Sequence, residues 1–235
     1  MRYALYHSPE PGDPLLQTAE DWLGRSAFGR AVDGSLAAAP AIVSDARRYG
    51  FHATLKAPFE LAPGRSEDEL REALARWSRS RAPVQAVPLV LDQPSGFFAL
   101  VPDGRHAGLD AFAADVVRDF EPFRAGLSEA DRARRRPESL TARQRDHLER
   151  WGYPYVMEDF AFHMTLTGRL DGAASARVRP ELERRFGPFL SAPRDIATLA
   201  LFAERERGGL FEVVAVHRLA GPAPAAASLG TVDAA

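Results

Sequence analysis

The pattern Phe-His-x-Thr-Leu occurs twice, in RYGFHATLKAPFEL (Arg48 to Leu61) and in DFAFHMTLTGRL (Asp159 to Leu170). Each copy sits inside an apolar run, where a strand has no packing use for a histidine and a threonine two positions apart. Side chains at i and i+2 of a strand share a face. His52, Thr54 and Lys56 are therefore expected on one face of the first copy, with Phe51, Ala53, Leu55 and Ala57 on the other. In the second copy His163, Thr165 and Thr167 share a face opposite Phe162, Met164 and Leu166. The apolar faces suit packing against helices. The polar faces need a solvated cleft or a ligand, because unpaired buried polar groups are costly.

The segments downstream of the two copies also match. After the first, Ser66 to Glu69 is a capping-box pattern that opens a helix with Leu70, Ala73, Leu74 and Trp77 on one face. Two strands come next, VQAVPLVLD and GFFALVP, with the turn signal QPS between them. After the second copy, a helix over about 173–187 turns Val178, Leu182 and Phe186 inward, and the strands DIATLALFAE and GLFEVVAVHRL flank the charged turn RERGG. His52 to Gly96, which begins GFFALV, is 44 positions; His163 to Gly209, which begins GLFEVV, is 46. Matching order and spacing point to an internal duplication.

The remaining segments frame the two units. The first residues read as a strand, and Asp13-Pro14 then caps a short helix carrying Leu15, Ala19, Trp22 and Leu23. Residues 29–47 show no clear periodicity. Leu109, Phe112, Ala113, Val116, Val117 and Phe120 mark an amphipathic helix. Between the units, Ser128 is a candidate N-cap, and Thr141 to Gln144 is a second capping box leading to Leu148 and Trp151. The expected fold class is α+β: two pseudo-symmetric β-α-β-β-like lobes with mainly antiparallel sheets around a central cleft, plus a helical insertion. One bilobal domain is expected over 1–220, with lobe 1 at about 48–120, the insertion at about 121–155 and lobe 2 at about 156–220. The N-terminal strand joins one sheet, and the Pro/Ala-rich residues 221–235 are expected to be a disordered tail.

Composition removes whole classes of chemistry. None of the 235 residues is cysteine, which excludes disulfides, thiol catalysis and cysteine-ligated metals. The net charge of −2 gives no global attraction to long nucleic acid or an anionic membrane. No apolar run reaches the ~18–20 residues of a membrane span, and the N-terminus does not read as a signal peptide. A cytoplasmic protein of undetermined oligomeric state is expected. The six histidines form no His-x-His or HExxH pattern, so neither a metal nor a cofactor is expected.

Two leading strands brought together would deliver two imidazoles to opposite sides of one ligand atom, with a hydroxyl beside each. Such a pair can act as general base and general acid near neutral pH. Phosphodiester cleavage uses both: one takes a proton from the attacking oxygen while the other protonates the departing one. The threonine hydroxyls can hold the non-bridging oxygens, where charge builds. The motifs HAT (His52, Thr54) and HMT (His163, Thr165), each followed by Leu, resemble those of the two-histidine (2H) phosphoesterases. RYGFHATLKAPF, ARRRP and RWGYPYVMEDFAFHMTLTG further resemble a bacterial branch of that superfamily associated with phosphonate metabolism.

The resemblance implies metal-independent hydrolysis of a small cyclic phosphodiester by His52 and His163. For that branch it implies a ribose 1,2-cyclic phosphate that also carries a 5-phosphate, an intermediate of phosphonate breakdown. An RNA or nucleotide 2′,3′-cyclic or 2′,5′-phosphodiesterase is an alternative. A non-catalytic phosphometabolite-binding protein is another. Thr54, Thr165, Lys56, Tyr49, Tyr155 and Tyr6 are the candidate substrate contacts, along with Arg134 and Arg135 of the run RARRRP, since arginine forks suit a second phosphate. The opposing reading of that run is a solvated helix face balanced by Glu129, Asp131 and Glu138. Which histidine is base and which is acid is open at this level.

Overall fold

The computed structural model describes residues 1–222, so the expected tail falls almost wholly outside the described residues. The strands are β1 (Arg2–His7), β2 (Ala53–Phe59), β3 (Val84–Val87), β4 (Leu89–Asp92), β5 (Phe97–Pro102), β6 (Met164–Arg169), β7 (Arg194–Ile196), β8 (Thr198–Glu204) and β9 (Phe211–Arg218). The α-helices are α1 (Pro14–Leu23), α2 (Pro40–Tyr49), α3 (Glu67–Arg79), α4 (Ala107–Asp119), α5 (Glu129–Arg134), α6 (Ala142–Trp151) and α7 (Gly172–Phe186). Seven strands make one antiparallel sheet in the order β4-β5-β6-β2-β1-β8-β9, and β3 pairs with β7 in a separate two-stranded sheet. The fold is α+β. Among the described residues no helix is long and apolar enough to cross a membrane.

The duplication is visible in the topology. β2-α3-β3-β4-β5 and β6-α7-β7-β8-β9 have the same order, the two leading strands pair with each other, and so do β3 and β7. The expected single strand VQAVPLVLD is two strands, β3 and β4. Pro88 lies between them and cannot donate to a ladder, and Ala86 adopts a positive φ of 55°. DIATLALFAE divides in the same way at Ala197. Residues 40–49, which carry no clear periodicity, form α2, started by Pro40 at its first position and ended at Gly50.

Both capping boxes form, Ser66 with Glu69 on α3 and Thr141 with Gln144 on α6. Asp13 caps α1 by accepting from the Leu15 amide at 2.9 Å.

The leading strands do not face each other from two sheets; they are neighbours within one. Their ladder is a single register pair, Ala53↔Met164: both strands begin there and, being antiparallel, run away from each other. Where β2 does not extend, α1 and α2 lie against β6: the Trp22 indole N–H donates to the Leu166 carbonyl at 2.8 Å, and α2 packs along the strand. One face of the sheet carries Tyr3, Leu5, Leu199 and Leu201 into the main core with Leu70 and Leu74 of α3, Leu109 and Val116 of α4, and Leu182 of α7. The other face carries Ala4, Tyr6, Ala200 and Phe202 beneath a smaller cluster with Ala27 and Phe211. His52 and Thr54 belong to that second face, since Thr54 is the register partner of Tyr6.

Candidate active site

The two histidines are fixed by the same device. His52 Nδ1 lies 2.9 Å from the Gly50 carbonyl oxygen, and His163 Nδ1 lies 2.8 Å from that of Ala161. A carbonyl only accepts, so Nδ1 carries the proton in both rings and Nε2 is the atom free for chemistry. On either side of the Ala53↔Met164 pair, an antiparallel ladder puts Thr54 near His163 and His52 near Thr165. His52 Nε2 stands 3.2 Å from Thr54 Oγ1. The two motifs thus interleave at the point where the halves of the sheet meet.

The environments of the rings differ. His52 stacks on the Tyr6 ring with centroids 3.9 Å apart, and Tyr49 and Phe202 lie 5.9 and 6.1 Å away. This enclosure pushes the His52 pKa down to about 4. Burial is the main cause, the Gly50 carbonyl works against it, and the charge of His163 lowers it further. His52 is therefore neutral at pH 7. Mutual repulsion also disfavours a doubly protonated pair. His163 has a more open setting, with the Phe97 ring 5.6 Å away.

A cavity of about 590 Å³ opens over the second motif, lined by Thr54, His163, Phe97, Tyr153, Tyr155 and Arg169 among others. His52 is half-buried and is not among the residues lining this cavity, but its neighbour Thr54 is. Tyr155 is 48% exposed at the mouth. The loop bearing Tyr153 and Tyr155 is pinned to α6, where Arg143 donates to Asp159 at 2.7 Å. A second depression, about 990 Å³, surrounds the Pro9–Pro14 loop, away from His52 and His163. Its arginines are already held, Arg194 by Asp13 and Arg218 by Glu10.

Among the candidate contacts, Thr54 and Tyr155 line the cavity, and Thr165 is half-buried on β6 beside it. Tyr6 is 1% exposed and serves as the platform beneath His52. Tyr49 stacks on Phe211 at 5.0 Å. Lys56 requires a correction: it is not on the His52 face. β1 pairs Tyr6 with Thr54 but Leu5 with Lys56, so Leu55 is an extra residue, a bulge that turns the following side chain over. Lys56 is 3% exposed among the helices, donating to Glu121 at 2.7 Å and to the Val117 carbonyl at 3.1 Å.

The arginine run is mostly a solvated face. Arg132 pairs with Glu149, and exposed Arg134 lies 3.5 Å from Asp131. Arg135 turns inward over the Tyr153 ring, 4.8 Å from its centroid. Among the described residues, no three His, Asp or Glu side chains converge in a way that could hold a metal ion.

Sequence reasoning missed Phe97 and Arg169. Arg169 was legible in principle, as it lies at even spacing from His163, but the extra residues in β6 hide that register.

The family described as "Protein of unknown function (DUF1045)" matches residues 54–212, from the first motif threonine to β9. The chain belongs to this family. It is also similar to two curated proteins called "Ribose 1,5-bisphosphate phosphokinase PhnN". The one from Janthinobacterium sp. (strain Marseille) is 36% identical over 221 residues, 89% of this chain and 49% of that protein. The one from Laribacter hongkongensis (strain HLHK9) is 36% identical over 223 residues, 91% of this chain and 50% of that protein. The chain spans about half the length of these relatives. A solved structure, TT0787 of Thermus thermophilus, aligns over 94% of this chain and 99% of its own length, with TM-score 0.45 and 16% identity.

Proposed function

We propose that the chain is a two-histidine phosphoesterase that hydrolyses a small cyclic phosphodiester. The observation that carries this reading is the matched pair of imidazoles. Each is locked by its Nδ1–H on the carbonyl two residues upstream, and each has a threonine two residues on. The closed, neutral His52 is the general base: its Nε2 lone pair takes a proton from water as the water oxygen bonds to phosphorus. His163 is the general acid in this reading and gives an Nε2–H to the ring oxygen whose bond to phosphorus breaks. Thr54 and Thr165 donate to the non-bridging oxygens as their charge grows. Proton balance is kept, since the pair ends with the proton moved from His163 to His52.

The relatives' name supports a substrate. This chain has one lysine, Lys56, buried and tied to Glu121, and no G-x-x-x-x-G-K-[ST] motif. It thus lacks the lysine and glycine-rich cradle of a P-loop kinase. In this reading the kinase activity of those longer proteins belongs to the half that this chain does not match. A ribose 1,2-cyclic phosphate bearing a 5-phosphate, opened at the O2–phosphorus bond, yields ribose 1,5-bisphosphate, the compound in that name. O2 is then the oxygen that His163 protonates, and phosphonate breakdown is the setting. The aromatic walls from Phe97 and Tyr155 favour a second substrate reading, a nucleoside 2′,3′-cyclic phosphate.

Turnover of both substrates with a strong chelator present tests the proposal. His52→Ala and His163→Ala should each cost ~10²–10⁴-fold in kcat, the usual range for acid–base catalysis. The acid limb of kcat/KM should fall near the His52 pKa of about 4 rather than at 6.5, because protonating His52 removes the base. Full turnover in either alanine variant would refute the mechanism.

A further inference from the structure

We infer that Arg169 reads a second anionic group on the substrate, a phosphomonoester at the end of the molecule remote from the bond that breaks. The inference rests on the hydrolytic reading above and adds a subsite to it. Arg169 ends β6 on the same side of the strand as His163 and Thr165, and it lines the same cavity as His163 and Thr54. Its guanidinium forms no ion pair among the described residues, unlike Arg105, which Asp110 holds at 2.7 Å in the same cavity.

The strand brings it within reach. Thr165 pairs with Ala99 and Arg169 with Phe97, so four steps along β6 match two along β5. The bulge shortens that span from about 13 Å to about 7 Å at ordinary strand rise. Phe97, the register partner of Arg169, has its ring 5.6 Å from the His163 ring. Arg169 therefore stands one side-chain length from the catalytic pair, with an aromatic ring between, which suits a sugar bridging two phosphates.

The carboxylates of the cavity fit the same ligand. Asp110 is tied to Arg105 and Asp159 to Arg143. Asp92, at the end of β4, has no ion-pair partner among the described residues and can accept from a sugar hydroxyl. The duplication does not repeat this subsite: the residue six places after His163 is Arg169, whereas six after His52 it is Pro58. The cavity thus has one cationic end, beside His163, and substrate enters in one orientation.

Arg169→Gln and Arg169→Lys, compared on ribose 1,2-cyclic phosphate with and without the 5-phosphate, test this. Arg169→Gln should raise KM about 10- to 100-fold for the doubly phosphorylated substrate, the worth of a charge-assisted contact, and Arg169→Lys should recover part of it. KM for the substrate lacking the 5-phosphate should change several-fold less, so that the loss falls chiefly on KM for the doubly phosphorylated one. Equal KM changes on the two substrates, or none, would overturn the inference while leaving the hydrolase reading intact. If the unaltered protein cleaves no cyclic phosphate, the hydrolase reading fails instead. The subsite is then decided by titrating ribose 5-phosphate calorimetrically: binding lost in Arg169→Gln supports it, and binding unchanged overturns it.

Discussion

Gly50 is the backbone element that holds His52, the proposed base, and replacing it with alanine gives a sharp test. Its φ of 77° with ψ of 179° lies in a region that only glycine occupies readily. A side chain there costs about 1–3 kcal/mol in backbone strain alone. A Cβ on Gly50 would also sit 2.7 Å from the Ala27 Cβ. Ala27 cannot withdraw easily, since it is buried under the Tyr6 cluster and its carbonyl accepts from the Val213 amide at 3.0 Å. Forcing a methyl into such packing costs about another 1–3 kcal/mol. Gly50→Ala should therefore lose about 2–6 kcal/mol of stability in urea unfolding.

Turnover should fall too, because the displaced carbonyl is the acceptor that holds His52 Nδ1. A second variant separates the two causes. Ala27→Gly in the Gly50→Ala background removes the clash but not the strained φ, so about half the loss should return. Ala161 supplies the corresponding carbonyl to His163 without a positive φ. Ala161→Gly should thus cost only the usual ~0.5–1 kcal/mol of added chain freedom. If Gly50→Ala melts with the unaltered protein, or if Ala27→Gly restores it fully, the strained glycine is not what sets the base.

Two other residues make firm predictions. Lys56→Met should leave kcat and KM unchanged, because the bulge has removed Lys56 from the cleft. The stability loss should be modest, since Glu121 keeps Arg124 at 2.6 Å; a raised KM would return Lys56 to the site. His7 is buried, and burial pushes its pKa down to about 4 from an ordinary 6.5. The unfolded chain binds that proton first on acidification, so stability is full above pH 6.5 and falls as pH drops toward 4. The loss amounts to about 3 kcal/mol. His52 titrates in the same direction, so His7→Gln should remove about half of the combined acid slope in chemical unfolding. A slope unchanged by His7→Gln would show that His7 is not the group responsible.

Much of this was legible in the chain. Period-2 patterning found both leading strands, and the capping boxes at Ser66 and Thr141 fixed the starts of two helices to the residue. The repeat of Phe-His-x-Thr-Leu, with its downstream hairpins, gave the duplicated order of elements. Other features were hidden for definite reasons. A helix such as α2 has few buried positions, only Val43 and Ala46 fully so, and its periodicity is too sparse to stand out. Pro88 was visible as a residue, but its effect depended on Val87 reaching Arg194 of the other repeat.

Bulges account for the remaining error. Strict alternation predicts that the residue four places after each histidine returns to the cleft face. In both copies it is instead buried and satisfied elsewhere. Lys56 bonds to Glu121, while Thr167 accepts from the Phe98 amide at 2.9 Å and donates to the Gly168 carbonyl at 2.8 Å. An extra residue reverses every side chain beyond it, and a bulge leaves no mark in a hydrophobic pattern because it is decided by the neighbouring strand. The two copies then diverge. Each has two extra residues beyond its threonine; in the first they lead into Pro58 and the buried Phe59, and in the second they leave Arg169 on the cleft side beside Phe97. The motif repeated by duplication supplies two chemically equivalent imidazoles, and different neighbours give them unequal surroundings. One is closed in by Tyr6 and kept neutral. The other faces the cavity that Arg169 also lines.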